Sequence, residues 1–162
     1  MSLTKINNNT LSAITGLPAG VGGKVLQVVR LYVANQGGSS LSTTSTSMTA
    51  SGIQSSITPN ASGNLILVDF SAGMTDPNGN VGMAEMHQKI GSGSFAVMTG
   101  AGNFQIGYTQ TRYTGMVLNA SYTTTSTETL TYQPFIRTGG SGTFDFIHDS
   151  SSYALTLTEV EQ

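Results

Sequence analysis

What most constrains this chain is its punctuation. Gly, Asn, Ser or Pro interrupts it at short intervals, and no segment keeps a 3.6-residue apolar period long enough for a useful helix. Between the interruptions lie short runs with strand character. They are KVLQVVRLYVA (24–34), the Thr/Ser run 42–49, IQSSIT (53–58) closed by Pro59, and NLILVDF (64–70). VGMAEMHQKI (81–90), SFAVM (94–98), NFQIGYT (103–109) and RYTGMVLNA (112–120) follow. ETLTYQPFIRT (128–138), TFDFIH (143–148) and YALTLTEV (153–160) complete the series. Regular short strands with turn signals predict an all-β antiparallel sandwich or barrel of about 8–10 strands. The segment 81–90 is the nearest to a helix, but Gly82 and Gly91 bracket it and it is assigned as a strand.

The phase of these runs gives expectations about faces. Val25, Val29, Leu31 and Val33 should lie near one face of the first strand. In 64–70, Ile66, Val68 and Phe70 fall on one side and Leu65 and Leu67 on the other, the pattern of a strand covered on both faces. A two-layer sandwich buries only one face per strand, so the second apolar face predicts a subunit contact. DPNGN (76–80) predicts a tight turn.

The chain has 162 residues, enough for one core and too few for two. Residues 1–23 differ from the rest: they are polar, carry three consecutive Asn, and end in Pro18 and the glycines at 20, 22 and 23. They are assigned as an N-terminal attachment arm, with Leu3, Ile6, Leu11, Ile14 and Leu17 as spaced apolar anchors. Residues 24–162 are assigned as the β-domain.

Composition removes several function classes. Only 9% of residues are charged, against roughly 25% in an ordinary soluble domain. The six Lys and Arg are scattered, so no basic stripe for nucleic acid can form. There is no Cys, which removes disulfides and thiolate metal sites. No apolar run approaches the roughly 20 residues of a membrane span, and the first residues lack the apolar core of a signal peptide. Neither nucleic acid nor membrane insertion is therefore expected.

Several groups carry residue types that could do chemistry. Asp76, Asn78 and Asn80 have the spacing that opens a calcium loop, but Val81 and His87 stand where the motif needs Gly and a carboxylate. A hairpin turn is the better reading. Glu85, His87 and Lys89 alternate and so share a strand face; a Glu–His pair could move protons, but has no nucleophile beside it. A solvated outer face or a pH-sensitive subunit contact fits better. Asp145, His148, Asp149 and Ser150–Ser152 hold the residue types of a hydrolase triad without a G-x-S-x-G elbow, and suit a turn between strands. Tyr32, Tyr108, Tyr113, Tyr122, Tyr132 and Tyr153 could stack on sugars or simply pack. No catalytic, cofactor-binding or metal-ligating residue is assigned, and no cofactor is expected.

Three stretches carry a family resemblance: VLQVV (25–29), STTSTSMTASGIQSSITPNASGNLILV (42–68), and SYALTLTEVE (152–161). They resemble small β-sandwich proteins of tailed bacteriophages, many of them environmental or marine. The opening LTKINNNTLSAITGLPAG is similar to the N-terminal arms of phage fibre-like proteins. MTDPNGNVGMAEMHQKIGSG departs from the group. The resemblance implies a jelly-roll-like sandwich, a homotrimer, and a place on the virion beside other capsid or tail proteins after synthesis in the host cytoplasm. It implies no catalytic residues. A receptor-reading tip that binds host-surface glycan is the second reading, and a small glycan hydrolase a distant third.

Overall fold

The computed structural model describes residues 23–34, 41–75, 81–98, 104–107, 114–148 and 151–162. The proposed anchors Leu3, Ile6, Leu11, Ile14 and Leu17, the DPNGN turn, Tyr108 and Tyr113 lie outside them. The described residues are all-β: twelve strands and no helix. In chain order these are β1 (Val25–Val33), β2 (Leu41–Thr43), β3 (Thr49–Ala50), β4 (Ser55–Ile57), β5 (Leu65–Thr75) and β6 (Val81–Ile90). They continue with β7 (Ala96–Val97), β8 (Phe104–Gly107), β9 (Thr114–Thr123), β10 (Leu130–Thr138), β11 (Phe144–Ile147) and β12 (Tyr153–Val160).

All described pairings are antiparallel. One sheet has the order β1-β12-β5-β9. The second has the order β3-β10-β6-β7, with β4 also along β10 and β8 also along β6. β2 and β11 form a separate ribbon. The core draws on both large sheets. Ile66, Val68 and Phe70 of β5 and Leu155 and Leu157 of β12 meet Ala84 and Met86 of β6 and Ile136 of β10 in one buried cluster. Period-two alternation dictates this, because each of these residues shares a face with its neighbours two positions away.

The ribbon supplies aromatic bulk to the same core. Phe144, Phe146 and Ile147 of β11 are fully buried, and Phe146 stacks on Phe70 with ring centroids 5.4 Å apart. Phe144 lies so close to Gly82 that any Cβ there would overlap its ring. Gly82 is therefore a packing requirement of β6 and not a break in it.

One detail differs from the sequence expectation. A bulge at Leu26 shifts the register, so that Gln27, with Val29 and Leu31, lies on the half-buried side while Val25 is 55% exposed. The second face of β5, which the sequence assigns to a subunit contact, is partly open among the described residues: Leu67 is 37% exposed and Asp69 is exposed. Pro134 sits inside a central strand, which normally forbids it. Its carbonyl accepts from Ser51 N (3.1 Å), so its nitrogen faces the same side, where β3 gives way to β4, and not the continuous ladder with β6.

Candidate functional site

β12 carries its alternation one residue beyond the leucines. Leu155 and Leu157 face inward, and Glu159 follows in the same phase with no exposed surface. A carboxylate there must find donors or lose its charge. It finds four. Oε1 accepts from Asn60 N (2.8 Å) and Asn64 Nδ2 (2.6 Å), and Oε2 from Gln27 Nε2 (2.6 Å) and Asn60 Nδ2 (2.9 Å). Burial pushes the Glu159 carboxyl up, and the bonds from Asn64, Gln27 and Asn60 outweigh it, so the group sits below the usual range.

The donors come from remote places. Gln27 is turned inward after the β1 bulge and also donates to Thr58 O (2.8 Å). Asn60 and Asn64 belong to the loop between β4 and β5. That loop is tied from the other side by Gly63 N to Thr124 O (2.7 Å) and Thr124 N to Asn64 O (2.8 Å). Gly63 has φ +91°, a left-handed turn that a side chain would strain. With both oxygens engaged by two donors each, Glu159 is a structural tie between β1, β12 and this loop. It has no lone pair directed at a substrate.

Glu85, His87 and Lys89 do share the outer face of β6. Glu85 Oε1 and His87 Nε2 are 2.8 Å apart. The pair is not a solvated surface, since their side chains are only 16% and 12% exposed. The His87 ring stacks on Phe135 of β10 (centroids 3.8 Å apart, 13° between planes). Phe95 lies against Phe135 at 5.8 Å, and Lys89 Nζ stands 5.3 Å from the Phe95 ring. The cluster is a packed polar-aromatic patch.

Of the triad-like residues, Asp145, His148, Ser151 and Ser152 are described, and they lie on β11 or between β11 and β12. Asp145 lies on β11, in register with Ser42 of β2. Ser151 N donates to His148 O (3.1 Å), between β11 and β12. Asp149 and Ser150 lie outside the described residues. The described tyrosines scatter: Tyr32 is exposed with Arg30 over its ring (5.1 Å), Tyr132 is in the core, Tyr153 packs near Phe70 (6.4 Å), and Tyr122 is half-buried at a cavity. Among the described residues, no group of three or more His, Cys, Asp or Glu could hold a metal ion.

The Glu159 tie was not singled out from the sequence. The available signal was phase, since Glu159 falls in step with Leu155 and Leu157 and so must face inward. No protein-family model matches the chain, and no curated protein matches it.

Proposed function

We propose that this chain is a non-enzymatic structural protein of a tailed-bacteriophage particle: a jelly-roll sandwich acting as a trimeric short fibre, knob or decoration protein, attached through residues 1–23. The observation that carries the reading is where the resembling stretches meet. VLQVV supplies Gln27, SITPNASGN supplies Asn60 and Asn64, and LTLTEV supplies Glu159, and these four side chains form one hydrogen-bonded cluster. The stretches thus share a structural joint, with its acceptor atoms engaged, and this favours a scaffold over a catalyst.

The strand order supports the jelly-roll reading. With β3/β4 and β7/β8 each taken as one edge strand and the β2–β11 ribbon set aside, the sheets run 1-8-3-6 and 2-7-4-5. Fold alone carries no function; the virion reading rests on the resemblance together with the joint.

The outer face of the β1-β12-β5-β9 sheet supports assembly with copies of itself. Val28, Tyr32, Leu67 and Val117 are 57%, 55%, 37% and 58% exposed there. Arg30 and Asp69 stand in one row of this face, separated by β12. Two strand spacings put them roughly 10 Å apart. Around a three-fold axis Arg30 of one copy can meet Asp69 of the next, while the apolar points close around them.

The test is a truncation starting at Gly23. The shortened chain should keep the far-UV spectrum and oligomeric state of the full chain and lose incorporation into particles. A truncated chain that unfolds, or that still incorporates, overturns the attachment role.

A further inference from the structure

The two large sheets treat their edges differently. The outer strands of the second sheet are broken: β3 and β4 along β10, and β7 and β8 along β6, hold two to four residues each. Short, interrupted edges guard a sheet against pairing with another chain. The first sheet has long edges instead. Among the described residues, β1 and the 116–123 part of β9 pair on one side, with β12 and β5. Neither strand contains Pro; β9 has no charged residue and β1 has one, Arg30. The bulge at Leu26 disturbs the start of β1, and 27–33 then keeps regular register with β12.

Exposed apolar surface gathers on the same two strands. Among the described residues, Val25, Val28, Tyr32, Val97 and Val117 are the large apolar side chains more than half exposed. All but Val97 lie on β1 or β9. These strands also run in opposite directions, because every step in the order β1-β12-β5-β9 is antiparallel. A copy related by rotation about an axis along the strands therefore offers its β1 antiparallel to β9. The two edges match in length, direction and apolar character.

We infer that β9 of one copy pairs with β1 of the next, so that backbone hydrogen bonds carry the sheet across the subunit boundary. The inference rests on the proposed assembly of like copies and names the contact that makes it. Phase restricts the register, since outer face must continue into outer face. Val117, Asn119 and Ser121 are exposed on that face of β9, and Val28, Arg30 and Tyr32 on that of β1. Setting Val117 opposite Tyr32 joins two exposed apolar side chains as a cross-strand pair. It also sets Arg30 opposite Asn119, in the row that already holds Asp69, so this carboxylate gains a cation from the next copy. On the inner face, Leu118 then meets Leu31. Because the two edges differ, the contact repeats from copy to copy, and a rotation that closes after three leaves no free edge in this sheet.

The test is the full chain carrying Tyr32→Cys and Val117→Cys under mild oxidation; the natural chain has no Cys to compete. Within one copy these positions share a row with Ala154 and Ser71 between them. They are thus three strand spacings, roughly 14 Å, apart and beyond disulfide reach. Across the contact they face each other, so a non-reducing gel should show chains linked to one another, up to three. Tyr32→Cys with Leu67→Cys, which reports sheets packed face to face, should stay unlinked. Hydrogen exchange of the wild-type chain is the second measurement. On dilution to monomer, amides of β1 and β9 should lose protection, while those of β5 and β12, paired on both sides within each copy, keep theirs. A folded trimer without the Tyr32–Val117 link, or with a Tyr32–Leu67 link, overturns the edge pairing and leaves the trimer standing. A chain that is monomeric at micromolar concentration overturns both. If the variants do not fold, unchanged protection of wild-type β1 and β9 overturns the inference.

Discussion

Glu159→Gln keeps the shape of the side chain and removes its charge. In the native cluster four N–H groups point at two carboxylate oxygens. A carboxamide keeps one oxygen and turns the other position into a donor. If the oxygen stays with Asn64, which is buried, the amides of Gln27 and Asn60 face an NH₂ group. They can rotate to repair part of the loss, so the cost is about 1–3 kcal/mol, one unsatisfied buried donor. Glu159→Ala leaves all four donors without their acceptor and should cost about 3–5 kcal/mol. For a domain of this size that lowers the melting temperature by roughly 10 °C or more.

The same tie carries a pH signature. The folded Glu159 carboxyl is held low, while in the unfolded chain it titrates near the ordinary value of about 4.3. Its stabilisation is therefore complete above that value and is lost as pH falls through the lower, folded one. Urea denaturation of wild type and Glu159→Gln from neutral pH down to about pH 3 isolates this contribution, because the other carboxylates are common to both. The stability gap should be constant at neutral pH and close progressively on acidification. A gap below about 0.5 kcal/mol at neutral pH, within the scatter of surface substitutions, refutes the assignment of Glu159 as a tie.

Three further expectations follow from packing and site chemistry. Gly82→Ala forces a methyl into the Phe144 ring and should cost about 1–3 kcal/mol in urea denaturation; a neutral effect would contradict the contact between β11 and β6. Phe146→Ala removes a fully buried ring stacked on Phe70 and should cost about 3–5 kcal/mol by the same measurement. EDTA should leave the melting temperature unchanged; a fall of several degrees would assign calcium to Asp76, Asn78 and Asn80.

Much of the fold was legible because alternation is a local signal. Val81–Ile90 and Tyr153–Val160 are strands with the bounds that their period gave. Other features depend on contacts that period does not encode. Val25 lies off the face that its period predicts because the one-residue bulge at Leu26 leaves no mark in an apolar run. Leu67 has the pattern of a doubly covered strand, yet among the described residues it stays 37% exposed. The Thr/Ser run 42–49 is split between β2 and β3, which belong to different sheets, since such residues serve bends as readily as strands. Glu159 stayed hidden because its donors lie 95 to 132 residues away. Its phase in β12 marked it as inward, but an acid near a strand end reads as exposed until its partners are known. The Glu85–His87 pair was visible as a shared face, while Phe95 and Phe135, which cover it, come from other elements.

The central claim is an assembling scaffold, and its oligomeric state tests it most directly. Size-exclusion chromatography with light scattering on the full chain at micromolar concentration should return three times the chain mass. Arg30→Asp and Asp69→Arg should each weaken the trimer and together restore it. A wild-type chain that elutes as a monomer at that concentration would contradict the account.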